Sequence, residues 1–291
     1  MLITKYDLKS VETNWSNGLP NPLYPINIMP IRYIGDIVQR QPAILDLKNR
    51  LKPRSLILDG GCGQGYISEG LAFYGFEVIG LDPDVNMLDQ ANKRLETLSD
   101  KLNGKIRYLC GDLKEIPFQE NTFDAAIECG VTMFQSQKDL LQNLKEYFRV
   151  IKKGGILSLN TYHDFLVSDQ SPTLTSLNKP SVARVSDLIY KDTEILDTPQ
   201  GSFKSTKVEE FYYHSVVSPE EIRSQKPFSI YIHSSELIIY LSIIYLSIKA
   251  GFEIVEITDL YVQKYHLQLS QNWVGGMAGY PMFRRFVLRK P

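Results

Sequence analysis

The feature that most constrains this chain is residues 56–66, LILDGGCGQGY. It opens on Leu56, Ile57 and Leu58, the apolar run of a strand buried on both faces. Asp59 follows, and then glycines at 60, 61, 63 and 65. A glycine has no side chain to pack and loses much entropy when ordered, so such a run does not continue a strand. It suits a tight turn over which a ligand can approach the backbone closely. Beyond it, Ile67, Leu71 and Tyr74 recur at helical spacing and Gly75 offers a stop. The stretch reads as strand, glycine turn and helix, with the turn's backbone N–H groups offered to a ligand.

Two ligand classes use such a turn. Dinucleotides want G-x-G-x-x-G, with the pyrophosphate on the helix N-terminus. The spacing here is D-x-G-x-G-x-G, Asp59 to Gly65, and Tyr66 stands three places after Gly63. Asp59 would repel a pyrophosphate but attract an ammonium group. A zwitterionic amino-acid end fits, its carboxylate near the N–H groups and its amine held around Asp59.

The following elements test this. Residues 76–82, FEVIGLD, form a second short buried strand ending in Asp82, at the separation where dinucleotide folds place a ribose-binding acid. Asp84 can cap the next helix, in which Val85, Leu88, Ala91 and Leu95 make an apolar stripe. A third strand at 106–110 leads into Gly111, Asp112 and Leu113, and a fourth at 123–128 leads into the loop ECGVTMF. Residues 138–151 read as an amphipathic helix that the cations and glycines of 152–155 would end, with a fifth strand at 155–160.

In order, DGGCGQG at 59–65, the G-x-D-x-x-x-x-M-L arrangement of Gly80, Asp82, Met87 and Leu88, and RVIKKGGILSL at 149–159 resemble the class I S-adenosylmethionine-dependent methyltransferase family, small-molecule type. The resemblance implies an α/β fold with a Rossmann-like, seven-stranded, mostly parallel sheet of order 3-2-1-4-5-7-6. It implies S-adenosylmethionine as cofactor, at the C-terminal ends of strands one, two and four. The residues it assigns to the cofactor are Asp59, Gly61, Gly63, Gly65, Asp82, Pro83, Met87, Asp112, Leu113 and Glu128. Asp82 would take the ribose hydroxyls; Asp112 would accept from the adenine amino group, with Leu113 against the ring. The N/D-P-P-Y/F tetrad of enzymes that methylate adenine amines or glutamine amides is missing after strand four, which disfavours that class. Cys129 lies near where some RNA methyltransferases keep a nucleophile, but the supporting Pro-Cys or Thr-Cys dipeptide is absent and a buried apolar role suits it better.

The rest of the chain is read around this core. Residues 1–35, with Pro20, Pro22, Pro25 and Pro30, are irregular, and the resemblance implies an N-terminal lid. A helix at 34–51 is divided by Pro42. Residues 164–235 are expected to form a cap insertion after strand five. TPQG at 198–201 suits a turn, and strands begin near 207 and 228. The core domain is then 36–163 with 236–291, closing in strands near 252–262 and 282–290. Residues 237–248 are uncharged and apolar most of the way round, too short for a bilayer, which needs about 20 residues. They would suit coverage from both sides, a homodimer contact or a membrane surface.

Lys plus Arg, 32, nearly balance Asp plus Glu, 33, which leaves no basic footprint for nucleic acid. Three cysteines without a C-x-x-C fit a reducing, cytoplasmic setting and argue against a zinc site, and the first residues lack a signal-peptide pattern. No metal-binding set stands out. His163, just past strand five, is the best general-base candidate, with Tyr162 and Glu128 behind it. The expected function is methyl transfer to O, N or C of a small metabolite, apolar ones included. The alternatives are a peptide, protein or RNA acceptor, or a non-catalytic cofactor-binding protein.

Overall fold

The computed structural model describes residues 36–98, 102, 104–162, 189–198, 201–211, 228–235, 241–261 and 281–291. The expected lid at 1–35, the first part of the expected insertion and His163 lie outside these residues. A helical turn at Asp36–Arg40 runs into α1, Gln41–Arg50. Pro42 sits in the first turn of α1, where a missing N–H costs nothing. The expected division at this proline therefore becomes a start.

Five strands follow, with a helix after the first, second and fourth: β1 Leu56–Gly60, α2 Tyr66–Phe73, β2 Glu77–Asp82, α3 Val85–Thr97, β3 Ile106–Cys110, β4 Phe123–Cys129, α4 Gln137–Val150 and β5 Ile151–Tyr162. After the insertion come α5 Leu241–Ala250, β9 Glu253–Tyr261 and β10 Pro281–Arg289. These strands form one sheet of order β3-β2-β1-β4-β5-β10-β9. β3 to β5 run parallel, and β10 lies antiparallel between β5 and β9. This is the order expected from the sequence, with β9 and β10 as strands six and seven.

Both faces are covered, which is why β1, β2 and β4 carry continuous apolar runs. One core packs Leu58, Leu81, Leu140, Leu144, Leu157 and Phe286 beneath α4 and α5; the other packs Ile44, Leu47, Ile57, Leu71 and Val78 beneath α1 and α2. Helix ends follow the sequence. Asp84 accepts from the N–H groups of Asn86 and Met87 at the start of α3, and Ser136 accepts from that of Asp139 at the start of α4.

Three details differ from the expectation. β5 begins at Ile151, so 152–155 do not end α4. They form an irregularity in β5 between the pairs Phe123–Ile151 and Ala125–Ile156, with Gly154 at φ +76° and its N–H given to the Lys290 carbonyl. Among the described residues of 164–235 there are three strands where two were expected: β6 Ile189–Thr198, β7 Gly201–Phe211 and β8 Phe228–Ser235, antiparallel in that order. β6 and β7 pair from Thr198 opposite Gly201, the two ends of the expected turn, whose middle residues 199–200 lie outside the described residues. Finally, α5 buries Ile243, Leu246 and Ala250 in the core and leaves Ile248 exposed; the remainder of the apolar stretch, 237–240, lies outside the described residues. Among the described residues no helix is long and apolar enough to cross a membrane.

Candidate functional site

The C-terminal ends of β1, β2, β3 and β4 meet at one cleft of about 450 Å³, within the usual size of small-ligand sites. Of the residues singled out in the sequence, Gly61, Asp82, Pro83, Asp112 and Leu113 line it. Asp59, Gly63, Gly65, Met87 and Glu128 are not among its lining residues, and each has a distinct place.

Asp59 ends β1 and is buried. The Ser68 hydroxyl donates to its Oδ2 at 2.6 Å, and Oδ1 is left without a hydrogen bond. Burial pushes its pKa up to about 6, against the Ser68 bond and the nearby Arg40 charge, which favour ionisation. A buried carboxylate oxygen lacking a donor is a strained arrangement that a cationic ligand group would relieve.

The turn is held by β2. The N–H groups of Gly61 and Cys62 both reach the Leu81 carbonyl, at 2.8 and 3.1 Å. That of Gly63 reaches Asp82 Oδ2 at 2.8 Å, and that of Gly65 the Cys62 carbonyl at 2.9 Å. The expectation that these N–H groups stand open to a ligand is therefore corrected: all four are spent inside the protein. Gly61, at φ +69°, approaches Val131 so closely that a Cβ would lie 2.2 Å from Cγ2. Gly63, at φ +52°, is different, because a Cβ there would meet nothing within 4 Å. Open space above a left-handed glycine is what a ligand crossing the turn requires. Gly65 begins α2 above Tyr108, whose hydroxyl donates to its carbonyl at 3.3 Å.

Asp82 is buried at the end of β2, its Oδ1 accepting from the Asp84 N–H at 2.9 Å. Each oxygen thus keeps a lone pair for a hydroxyl donor. Met87 lies half-buried on α3, one turn past Asp82. At the far end Asp112 is exposed, with Lys114 Nζ 3.6 Å from Oδ2 and 3.8 Å from Asp139. Leu113 is buried beside it.

Glu128 lies beneath the floor. It is fully buried at the end of β4, accepting from the Thr132 hydroxyl at 2.5 Å. Its Oε2 and the hydroxyl of nearby Tyr147 both lack a hydrogen bond of normal geometry. Burial pushes its pKa up to about 7 and raises those of Tyr147 and Cys129 as well, Cys129 up to about 12. A thiol held that firmly protonated is not a nucleophile at neutral pH.

Sequence reasoning missed the other wall of the cleft. Gln39 and Arg40 reach it from the turn before α1, and Val131, Phe134 and Gln135 from the loop after β4. Asn160 Nδ2 on β5 donates to the Gln39 carbonyl at 3.5 Å and so pins that turn to the ends of β4 and β5. Arg40 sits in the helix-like segment at 34–51, where nothing in the periodicity marks it as facing a ligand. Among the described residues no cluster of metal-ligating side chains occurs.

A sequence model of the methyltransferase domain matches residues 58–159, the span that holds the glycine turn, Asp82, Asp112 and the loop after β4. In sequence, residues 58–159 are thus similar to a methyltransferase domain. Across this domain the chain is 32% identical over 127 residues to the Bacillus subtilis protein YqeM, covering 43% of this chain and 49% of YqeM. It is 34% identical over 106 residues to the malonyl-[acyl-carrier protein] O-methyltransferase of Yersinia pestis, covering 36% of each. The match therefore spans about half or less of these relatives' length. A solved S-adenosylmethionine-dependent methyltransferase from Methanosarcina mazei shares the methyltransferase fold. Its TM-score is 0.54 at 18% identity, over 84% of this chain and 96% of that one.

Proposed function

We propose that this chain is an S-adenosylmethionine-dependent methyltransferase that moves the methyl group to O, N or C of a small metabolite, apolar ones included. The observation that carries the reading is the placement of three acids at successive strand ends around the glycine turn. Asp59 offers an unpaired buried oxygen, Asp82 two partly used oxygens, and Asp112 an exposed carboxylate beside Leu113. These suit, in order, the ammonium, the ribose hydroxyls and the adenine amino group of the cofactor, whose amino-acid end would cross the open space above Gly63.

The cofactor supplies an activated methyl on a sulfonium, so the protein has mainly to align the acceptor and keep water out. Val131 and Phe134 give the cleft an apolar wall, and β8 of the insertion lies against the 132–134 turn that carries it. In this reading 1–35 and 164–235 roof the methyl site, and His163 serves as general base where the acceptor must lose a proton. The formal charge of −1 supports a metabolite over a nucleic acid.

The test is transfer of a labelled methyl group from S-adenosylmethionine, with a metabolite extract, a peptide pool and total RNA offered separately. Label in the metabolite fraction is expected. Label in peptide or RNA replaces the acceptor class, and cofactor binding without transfer to any fraction replaces catalysis with a binding role.

A further inference from the structure

We infer that Glu128 is a positioning residue, one that sets the wall of the cleft through Thr132 without itself touching the ligand. The ligand meant is the proposed cofactor, so the inference rests on that reading. Glu128 is fully buried and is not among the residues that line the cleft. A carboxyl group taken out of water is costly unless it is hydrogen-bonded. Here it accepts from the Thr132 hydroxyl at 2.5 Å, and Thr132 is fully buried too. Thr132 opens the short helical turn Thr132–Phe134. The Phe134 N–H reaches the Val131 carbonyl at 2.8 Å, and the Gln135 N–H the Thr132 carbonyl at 3.2 Å. A single turn of this kind has little stability of its own, so its side-chain ties decide where it stands.

The tie matters because of what the turn carries. Val131, Phe134 and Gln135 line the cleft. Val131 also fills the space over Gly61, where an added Cβ would lie 2.2 Å from its Cγ2, so the wall rests on the glycine turn. β8 lies against the same 132–134 turn. An apolar residue in place of Glu128 would be buried at less cost but could not hold the Thr132 hydroxyl. The acid at the end of β4 thus acts on the cleft at one remove, by fixing Val131 against Gly61.

Two measurements on the full chain test this. One is calorimetric titration with S-adenosylhomocysteine, the demethylated product. The other, with no ligand present, is the nuclear Overhauser signal between the Val131 methyls and the Gly61 α-protons. Thr132→Val removes the hydroxyl at nearly constant volume, and Glu128→Leu removes its acceptor. Each should weaken S-adenosylhomocysteine by about fivefold or more, the loss of one buried hydrogen bond, and diminish the Val131–Gly61 signal. Thr132→Ser and Glu128→Gln keep a hydroxyl and an acceptor, and should bind nearly as the wild type does with the signal kept. The double variant Thr132→Val/Glu128→Leu should lose no more than the weaker-binding single one, because both changes remove the same tie. A urea titration identifies the folded variants; if one apolar variant fails to fold, the other decides. Unchanged affinity and signal in a folded Thr132→Val or Glu128→Leu protein overturns the inference. So do losses that multiply in the double variant, or conservative variants that lose as much as the apolar ones. A wild-type chain that binds no S-adenosylhomocysteine overturns the cofactor reading instead, and the ligand-free Val131–Gly61 signal still decides for or against Glu128.

Discussion

Asp82 Oδ2 accepts the Gly63 N–H at 2.8 Å, so the carboxylate at the end of β2 fixes the turn that follows β1. Its Oδ1 holds the Asp84 N–H at 2.9 Å and so sets the start of α3 as well. One side chain therefore shapes the cleft and offers its remaining lone pairs to a ligand.

Asp82→Ala should weaken S-adenosylhomocysteine binding by about 1–3 kcal/mol, the cost of leaving donors unpaired or wet. It should also lower stability, because two backbone N–H groups lose their acceptor. Calorimetry beside a urea titration separates the two effects. Unchanged affinity in a folded Asp82→Ala protein removes the ribose assignment.

Gly63→Val and Gly61→Ala should behave differently. The space over Gly63 is open, so its substitution strains a left-handed φ by about 1–2 kcal/mol yet leaves room for the fold. Binding should be abolished, because the new side chain fills the ligand's path. At Gly61 the added Cβ collides with Val131, so thermal stability should fall more. Tight binding by a folded Gly63→Val protein would put the ligand elsewhere.

Glu128 and Asp59 should make stability fall as pH rises. Burial holds their folded pKa values at about 7 and about 6, above those of the unfolded chain. The native state thus binds these protons more tightly than the unfolded state. Their contribution is full below about pH 4 and is lost progressively toward about pH 7. Glu128→Gln should remove much of this decline, a difference on the order of a few kcal/mol between pH 5 and pH 8. Urea midpoints at the two pH values measure it. An equal decline in wild-type and Glu128→Gln proteins contradicts the assignment.

Hydrogen exchange tests the roof. Amides of 1–35 and 164–235 should slow when S-adenosylhomocysteine binds, while strand 156–160 changes little. Protection limited to the glycine turn and Asp82 would leave the methyl site uncovered and raise the standing of a macromolecular acceptor.

Much of the core was legible because its elements announce themselves locally. Leu56–Leu58 and the glycines specify strand and turn, Asp84 specifies a helix start, and Leu140 and Leu144 mark the buried side of α4, with Leu141 and Phe148 half-buried beside them. What escaped depends on contacts distant in sequence. The spent N–H of Gly63 is a fact about Asp82, and the irregularity at 152–155 is set by Lys290. The turn that carries Gln39 and Arg40 is held at the cleft by Asn160, far along the chain. β6 was missed because IYKDTEILDT breaks strict alternation with charged residues and pairs only with β7. Glu128 is assigned to the cofactor by the resemblance, and its bond to Thr132 is a contact that the strand-end position does not announce.

The central claim is that the cleft at the ends of β1 to β4 accepts S-adenosylmethionine and not a dinucleotide. Calorimetric titration of the wild-type chain with S-adenosylhomocysteine and, separately, with NADH tests it most directly. The account predicts one-to-one binding of S-adenosylhomocysteine and no binding of NADH. Binding of NADH with no heat from S-adenosylhomocysteine would contradict it.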